Sequence, residues 1–446
     1  MNNSQEAITK SKMSSFQRKI TYFGSGGPFL DGYVIVIIGL ALMQLTTQWH
    51  LTTAETGLLG AGTLFGVLFG GLIGGYLTDL IGREKMYVID IVAIVVISVV
   101  QFFVQDVTQL AICRFLLGLA IGADYPIAST LVTEFSTRKH RGFMVGILNC
   151  IWYVGAVAAS LVGYALLQLP ETGWRWMLLS AAVPGVLLLM GRLGTPESPM
   201  WLASKGRKDE AREILNKVFP NMDISEFLAE LEVPPVKTKI SKLFSEPVYL
   251  KRVIYCGGFY GLMVIPVFAI STFGPQIFEA MGLTGNLWIV AYILSNLFFV
   301  IGCIPALWLV EHWGRRPLNI WSFVFMTLGM AILGFLHNAG IGVVAVGFMI
   351  FCIAQGGPSV ECWIIPNEVF PTDLRSSATG IATAISRIGA AVGTYLVPSM
   401  LAGLGIGNTM LVMAGVCLAG VILCVALAEE TKGKSLAEAS AINQSH

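Results

Sequence analysis

Asp31, Arg114, Asp124, Glu361 and Arg387 stand well inside apolar stretches of the chain. A charge in such a segment is costly even on lenient scales, so each one calls for a chemical reason. Asp31 sits in Phe29-Leu30-Asp31-Gly32-Tyr33 with no cation nearby in sequence. Apolar surroundings favour a neutral carboxyl, which suits a group that takes up and releases a proton. A substrate contact and a structural hydrogen bond are the alternatives. Arg114 and Asp124 bracket Gly118-x-x-x-Gly122, a smooth face for close helix packing. Ten residues apart on a helix, they are separated by about 15 Å and share a side without touching. Arg387 carries a forked, permanently charged guanidinium that can hold a carboxylate or phosphate through two hydrogen bonds. Its structural alternative is an ion pair with Glu361 or Asp31, which a substrate anion could displace. The expected proton-coupling set is Asp31, Asp124, Arg114 and Glu361, with a structural partnership to another helix as the alternative for Asp124 and packing as that for Arg114, whereas Asp90 reads as structural.

A second group of charges lies in short turns between apolar runs. Asp79 and Arg83 flank Gly82, and Glu311 and Arg315 flank Gly314, 232 residues later. Glu134 with Arg141 reappears as Glu368 with Arg375 at an offset of 234. Asp79 can pair with Arg141 and Arg83 with Glu134, and likewise Glu311 with Arg375 and Arg315 with Glu368. Partly desolvated arginine–carboxylate pairs of this kind can latch one side of a membrane protein shut in one state and break in another. Ordinary solvated loop charge, of little energetic weight, is the alternative.

The elements that must position these groups are long and apolar. The sequence is 55% hydrophobic and 12% charged over 446 residues, with a mean hydropathy of +0.73. Runs near 24–47, 56–79, 86–105, 109–133, 143–168 and 176–194 precede a polar stretch, and six more follow near 253–275, 285–310, 318–336, 341–364, 376–402 and 408–428. Each is long enough to cross about 30 Å of hydrocarbon as a helix. The run after the first 22 residues is too long for a signal-peptide core and is expected as a retained helix. Two charge motifs at nearly one offset, on one side, predict duplicated halves in parallel orientation. The expected fold is therefore an all-α membrane protein of twelve transmembrane helices in two six-helix bundles. Its parts are residues 1–195, a linker with short helices at 196–250, a second bundle at 251–428 and a tail at 429–446.

Lys and Arg crowd one side of this array, from Lys10, Lys12 and Arg18 through Arg83, Arg138 and Arg141 to Arg375 and Lys432, against Arg175 alone on the other. That bias predicts both termini and the linker in the cytoplasm of a cell that inserts the chain into its inner or plasma membrane. A net charge of +1 offers no basic surface for nucleic acid. The eight cysteines all lie in apolar runs without metal-type spacing, so neither a metal nor a disulfide framework is expected. No phosphate-binding loop, HExxH or Gly-x-Ser-x-Gly element is present, which argues against an enzyme, and no cofactor is expected. Tyr33, Asn149, Trp152, Tyr153, Gln276, Gln355 and Trp363 are candidates for a cavity wall, with Gln355 favoured because Gly356-Gly357-Pro358 softens the helix beside it.

Four segments carry a family resemblance. Gly75-x-Leu77-x-Asp79-x-x-Gly82-Arg83, Pro196-Glu197-Ser198-Pro199-x-Trp201-Leu202, Pro366-x-Glu368-x-Phe370-Pro371-Thr372-x-x-Arg375 and Glu430-Thr431-Lys432-Gly433-x-Ser435-Leu436 resemble signatures of the major facilitator superfamily. The branch is that of sugar porters and of phosphate and organic-acid proton symporters. The resemblance implies the twelve-helix fold and proton-linked transport. It also implies a first-helix acid (Asp31), a fourth-helix arginine (Arg114) and, from Asp124-Tyr125-Pro126, an acid of the proton and substrate path with Tyr125 beside it. Ser386-Arg387-Ile388-Gly389-Ala390 resembles the eleventh-helix motif of organic-anion and aromatic-acid transporters. Thr137 and Glu429 replace prolines of the branch, and the Gln-Gln pair of hexose porters is missing from Tyr255 to Phe278, which argues against a simple hexose.

The leading expectation is import of a small organic anion or sugar-derived acid with protons, by a chain that works as a monomer in the lipid bilayer. Its substrate-binding set is Arg387, Tyr33, Tyr125, Gln355, Trp363 and Asn149. A proton-linked sugar or polyol symporter is the alternative within transport, an exporter of small molecules comes third, and a membrane sensor that binds without translocating is the alternative outside it.

Overall fold

In a computed structural model, residues 15–135, 138–219, 241–434 and 438–439 are described, without the side chains of Tyr125, Pro126, Ser129, Thr133, 138–146, Asn149, Thr372, Asp373 and Ser376. The described chain is helical almost throughout. Ten stretches are long and apolar enough to cross a membrane. Arg83–Gln101 is also long enough, but it opens on Arg83, Glu84 and Lys85 and carries Asp90. The helix Thr372–Leu427 is two spans joined at Gly405, whose φ of 75° breaks the helical path. Twelve spans result. Spans 1 to 6 are Ser15–Trp49, Thr53–Ile81, Arg83–Gln101, Val107–Glu134, Arg138–Leu167 and Gly173–Arg192. Spans 7 to 10 are Pro247–Ala280, Leu287–His312, Arg315–Phe335 and Ile341–Val369. Spans 11 and 12 meet at Gly405.

Span 1 begins well before the expected run. Its first helix, Ser15–Gly24, is amphipathic and lies on the face of the protein that carries the linker. There Gln17 donates to the Phe135 carbonyl at 3.0 Å, and Phe16 meets Phe219 edge-on at 6.3 Å. Hydropathy misses such a helix because only one stripe of it is apolar. Span 10 bends where Gly356-Gly357-Pro358 predicts: Ile341–Ala354 gives way to Gly356–Val369. A Cβ at Gly356 would lie 2.1 Å from the Gly302 carbonyl, so span 8 needs the bare glycine for its approach.

Spans 2 and 4 pack backbone on backbone. A Cβ on Gly118 would lie 2.1 Å from the Thr63 carbonyl, and one on Gly122 2.5 Å from that of Val67. This is the smooth face that the Gly spacing predicts, and it lets dispersion contacts form over the whole seam.

Close approaches between the two halves lie on the face away from the linker. Gln276 Nε2 of span 7 donates to the Gly39 carbonyl of span 1 at 3.3 Å. Gly57 and Gly60 of span 2 abut the Tyr395 backbone and the Phe273 ring. At mid-depth Tyr153 and Ser359 share a hydrogen bond of 2.8 Å, and the Tyr153 ring stacks on Phe299 at 5.2 Å.

Candidate functional site

Spans 1 and 5 touch without intervening side chains: a Cβ at Gly32 would lie 2.0 Å from the Trp152 carbonyl, and one at Gly155 2.0 Å from that of Phe29. That approach sets the Trp152 indole beside Asp31, and its Nε1 donates to Asp31 Oδ2 at 2.8 Å. Both residues are buried. Trp152 meets Phe268 of span 7 edge-on, at 5.4 Å and 88°. The Arg387 guanidinium lies 5.7 Å from the same Phe268 ring. Tyr260 stands within electrostatic reach of both Arg387 and Asp31. An acid of the first half and a base of the second thus share one aromatic wall where the halves meet. Arg114, fully buried, feels the charge of Asp31 and donates through Nη2 to the Val34 carbonyl at 3.2 Å.

The alternative pair of Glu361 with Arg387 is not made. Neither carboxylate oxygen of Glu361 has a hydrogen-bond partner among the described residues, and the cation in its electrostatic reach is Arg315. Among the other wall candidates, Gln355 donates to Ser359 at 3.2 Å, close to Tyr153, and Trp363 meets Tyr260 edge-on at 6.5 Å. Tyr33 turns instead to Ser180 of span 6, with 2.7 Å between the hydroxyls. The side chains of Tyr125 and Asn149 lie outside those described.

Asp124 belongs to a cluster that sequence reasoning only half found. Its two oxygens take Arg192 Nη1 and Nη2 at 2.5 and 3.1 Å, and Asp90 lies 3.4 Å from the same guanidinium. Arg192 also stacks on the Tyr87 ring at 3.8 Å and donates to the Tyr87 carbonyl at 3.1 Å. All four residues are buried. Arg192 closes span 6, where a cation reads as interfacial in sequence. A Cβ at Gly27 would fall 1.3 Å from Asp124 Oδ2, so span 1 rests its backbone on the carboxylate.

On the linker face the charge motifs close within each half, in two copies. Arg83 pairs with Glu134 and donates to Ser198 Oγ at 2.8 Å, while Ser198 donates to Glu134. Arg315 pairs with Glu368 at 2.8 Å and with Glu311 at 3.2 Å, while Thr431 donates to Glu368 at 2.5 Å. Glu197 accepts the backbone N–H groups of Arg83 and Glu84, at 2.9 and 3.2 Å, and Glu430 accepts those of Arg315 and Arg316, both at 3.1 Å. A carboxylate at a helix N-terminus satisfies orphan donors and meets the positive end of the helix dipole. Glu197-Ser198 and Glu430-Thr431 stand 233 residues apart, the same repeat, and that spacing was the signal that could have revealed their role. The partners of each pair belong to one half, so these clusters tie linker and tail to their own bundles. Asp79 is exposed within electrostatic reach of Arg83, and Arg375 donates to the Phe370 carbonyl at 3.4 Å. The Arg141 side chain lies outside those described. Glu429, where the branch has proline, pairs with Arg252 at 2.8 Å and fastens the tail to span 7.

Gly82 and Gly314 adopt φ/ψ of 110°/156° and 98°/169°, a region open essentially to glycine alone. A Cβ on Gly82 would also lie 2.4 Å from Glu197 Oε2. Gly82→Ala is expected to destabilise the detergent-purified protein by about 1–3 kcal/mol, read as a lowered melting temperature. Gly75→Ala meets nothing within 4 Å and serves as the neutral control. Equal melting temperatures for both variants would contradict the account of this turn.

Residues 20–442 match the family model described as Sugar (and other) transporter. The chain belongs to this family. The putative metabolite transport protein YaaU of Escherichia coli is 46% identical over 96% of both chains. The arabinose-proton symporter of Bacillus subtilis is 30% identical over 97% of this chain and 96% of its own. The solved structure of the xylose transporter XylE from E. coli, in a partially occluded inward-open conformation, superposes with a TM-score of 0.81 at 22% identity, covering 95% of this chain and all of that one. Membership makes this sugar-transporter relative a multi-pass membrane transporter, not an enzyme, and the fold is that of the major facilitator superfamily.

Proposed function

We propose that the protein carries a small organic anion or sugar-derived acid together with protons, by alternating access of its two six-helix halves. The observation behind this reading is the shared wall of Trp152 and Phe268, with Asp31 of the first half bound to Trp152 and Arg387 of the second half against Phe268. A guanidinium at that depth binds a carboxylate or phosphate through two charge-assisted bonds. Protonation of Asp31, with Arg114 in reach, neutralises the acid that would otherwise repel an arriving anion. The Asp124–Arg192–Asp90 cluster is a second place where a proton changes the charge balance, because two carboxylates there face one guanidinium.

In this reading residues 1–195 and 251–428 rock against each other, with the linker 196–250 and the tail 429–446 in the cytoplasm and the chain in the inner membrane. The halves meet tightly on the opposite face, so this form is the one closed to the outside. The linker-face clusters are made in this form between partners of one half, so they act as latches that hold the linker and the tail to their own bundles rather than one half to the other. Asp79→Asn is expected to reduce turnover severalfold with insertion intact. Normal uptake rates in that variant would remove the latch.

A second reading has its own support: the family model and the 30% identical arabinose-proton symporter favour a neutral sugar or polyol, with Arg387 structural. A screen in proteoliposomes separates the two. The anion reading expects sugar acids to be taken up in preference to the parent sugars and Arg387→Ala to abolish that preference. Uptake of neutral sugars that is unchanged in Arg387→Ala would refute it.

A further inference from the structure

Glu361, in the Gly356–Val369 helix of span 10, is fully buried, and neither of its oxygens has a hydrogen-bond partner among the described residues. Tyr255 of span 7 and Cys424 of span 12 lie within its electrostatic reach. The Tyr255 hydroxyl takes Asn319 Nδ2 of span 9 at 3.1 Å, leaving Asn319 Oδ1 with no partner among the described residues. At the offset of 232 set by Gly82 and Gly314, Asn319 stands where the first half has Tyr87, and at the offset of 233 set by Glu197 and Glu430, Val425 stands where it has Arg192. The arginine that balances Asp124 in the first half is therefore an uncharged residue in the second. Glu361 lies one turn along from the counterpart of Asp124, an acid whose neighbourhood has lost its built-in cation.

Among the described residues, the charged groups in its electrostatic reach come from the linker-face cluster: Arg315, Glu368 and Glu430. Arg315 is occupied there. Its Nε and Nη2 hold Glu368 at 3.2 and 2.8 Å, and Nη1 donates to the Val310 carbonyl at 3.0 Å. Glu368 and Glu361 are seven residues apart, two turns and about 10 Å of rise on one helix face. Pro366 lies between them and leaves that turn without one backbone hydrogen bond, so the helix can bend there. An ionised carboxylate buried without a donor is strongly disfavoured, whereas a protonated one needs no counter-charge.

We propose that Glu361 holds a proton in this conformation and releases it when Arg315 exchanges Glu368 for Glu361. The carboxyl O–H bond breaks, the proton leaves toward the linker face, and the carboxylate left behind pairs with the guanidinium. Resting on the proton-symport reading, this gives the second half its own proton-release step, tied to the opening of its linker-face cluster.

Infrared difference spectroscopy on the full-length protein in lipid nanodiscs tests it. The carbonyl band of a protonated carboxylic acid is expected in the wild type and absent from Glu361→Gln. Loss of a carboxylate band instead, with the protonated-acid region unchanged, would overturn the proposal by itself. Glu368→Gln weakens the hold on Arg315 and is expected to abolish the band, while Arg315→Gln is expected to keep it. A band indifferent to Glu368→Gln would overturn the exchange. Uptake in the wild type that ignores a pH gradient would defeat the symport reading and leave these infrared outcomes standing, so the two failures are distinguishable.

Discussion

Alanine at Arg387 is expected to lower uptake of an anionic substrate about 100-fold, with folding and membrane insertion retained. Arg387 is 5% exposed, and its guanidinium faces the Phe268 ring where the halves meet. A two-pronged, charge-assisted contact with a carboxylate contributes about 3 kcal/mol, and each 1.4 kcal/mol is about tenfold in binding. Trp152, Phe268 and Tyr260 remain in the variant, so the wall survives while the charge is lost. Lysine at this position is expected to recover only part of the activity, because a point charge cannot reproduce the planar fork. Uptake assays in proteoliposomes, with circular dichroism as the folding control, provide the check. A decline of less than about twofold would mean that the guanidinium does not meet the substrate.

The second large effect is expected at Asp31. Asparagine keeps the shape and can still accept the Trp152 Nε1–H bond, now 2.8 Å to Oδ2, but it cannot exchange a proton. One pH unit across the membrane is worth about 1.4 kcal/mol per proton, or about a tenfold accumulation. Asp31→Asn is therefore expected to bring accumulation under a one-unit gradient from about tenfold down to equilibration. Exchange of internal for external substrate, which needs no net proton movement, is expected to continue. A variant that still concentrates substrate would place the coupling proton elsewhere, with Asp124 the next residue to test.

Much of the architecture was legible because membrane spans announce themselves by length and lack of charge. The charge motifs revealed the duplication for an equally simple reason: a turn that needs Gly82 or Gly314 and an arginine after it leaves few substitutes. The start of span 1 was not legible, since Ser15–Gly24 spreads its apolar residues along one stripe among Gln17, Arg18 and Lys19. Nor was Arg192, which only the packing of spans 3, 4 and 6 buries against Asp90, Asp124 and Tyr87. Helices that are apolar on every side carry no pattern that says which face turns inward. The partnership of Asp31 with Trp152 could not be derived for that reason, although each residue stood out alone. Tyr33 is the converse case, polar, mid-helix and near Asp31, yet turned to Ser180 within its own half. The caps Glu197 and Glu430 were visible as signature strings, and their role emerged once their carboxylates were seen on the N-termini of spans 3 and 9.

Proton-coupled transport is the central claim, and accumulation in proteoliposomes measures it most directly. With the interior made alkaline, wild-type protein is predicted to concentrate a sugar acid above its external level, and a protonophore is predicted to return it to equilibrium. Uptake that only equilibrates, at a rate indifferent to the gradient and to the protonophore, would contradict the account.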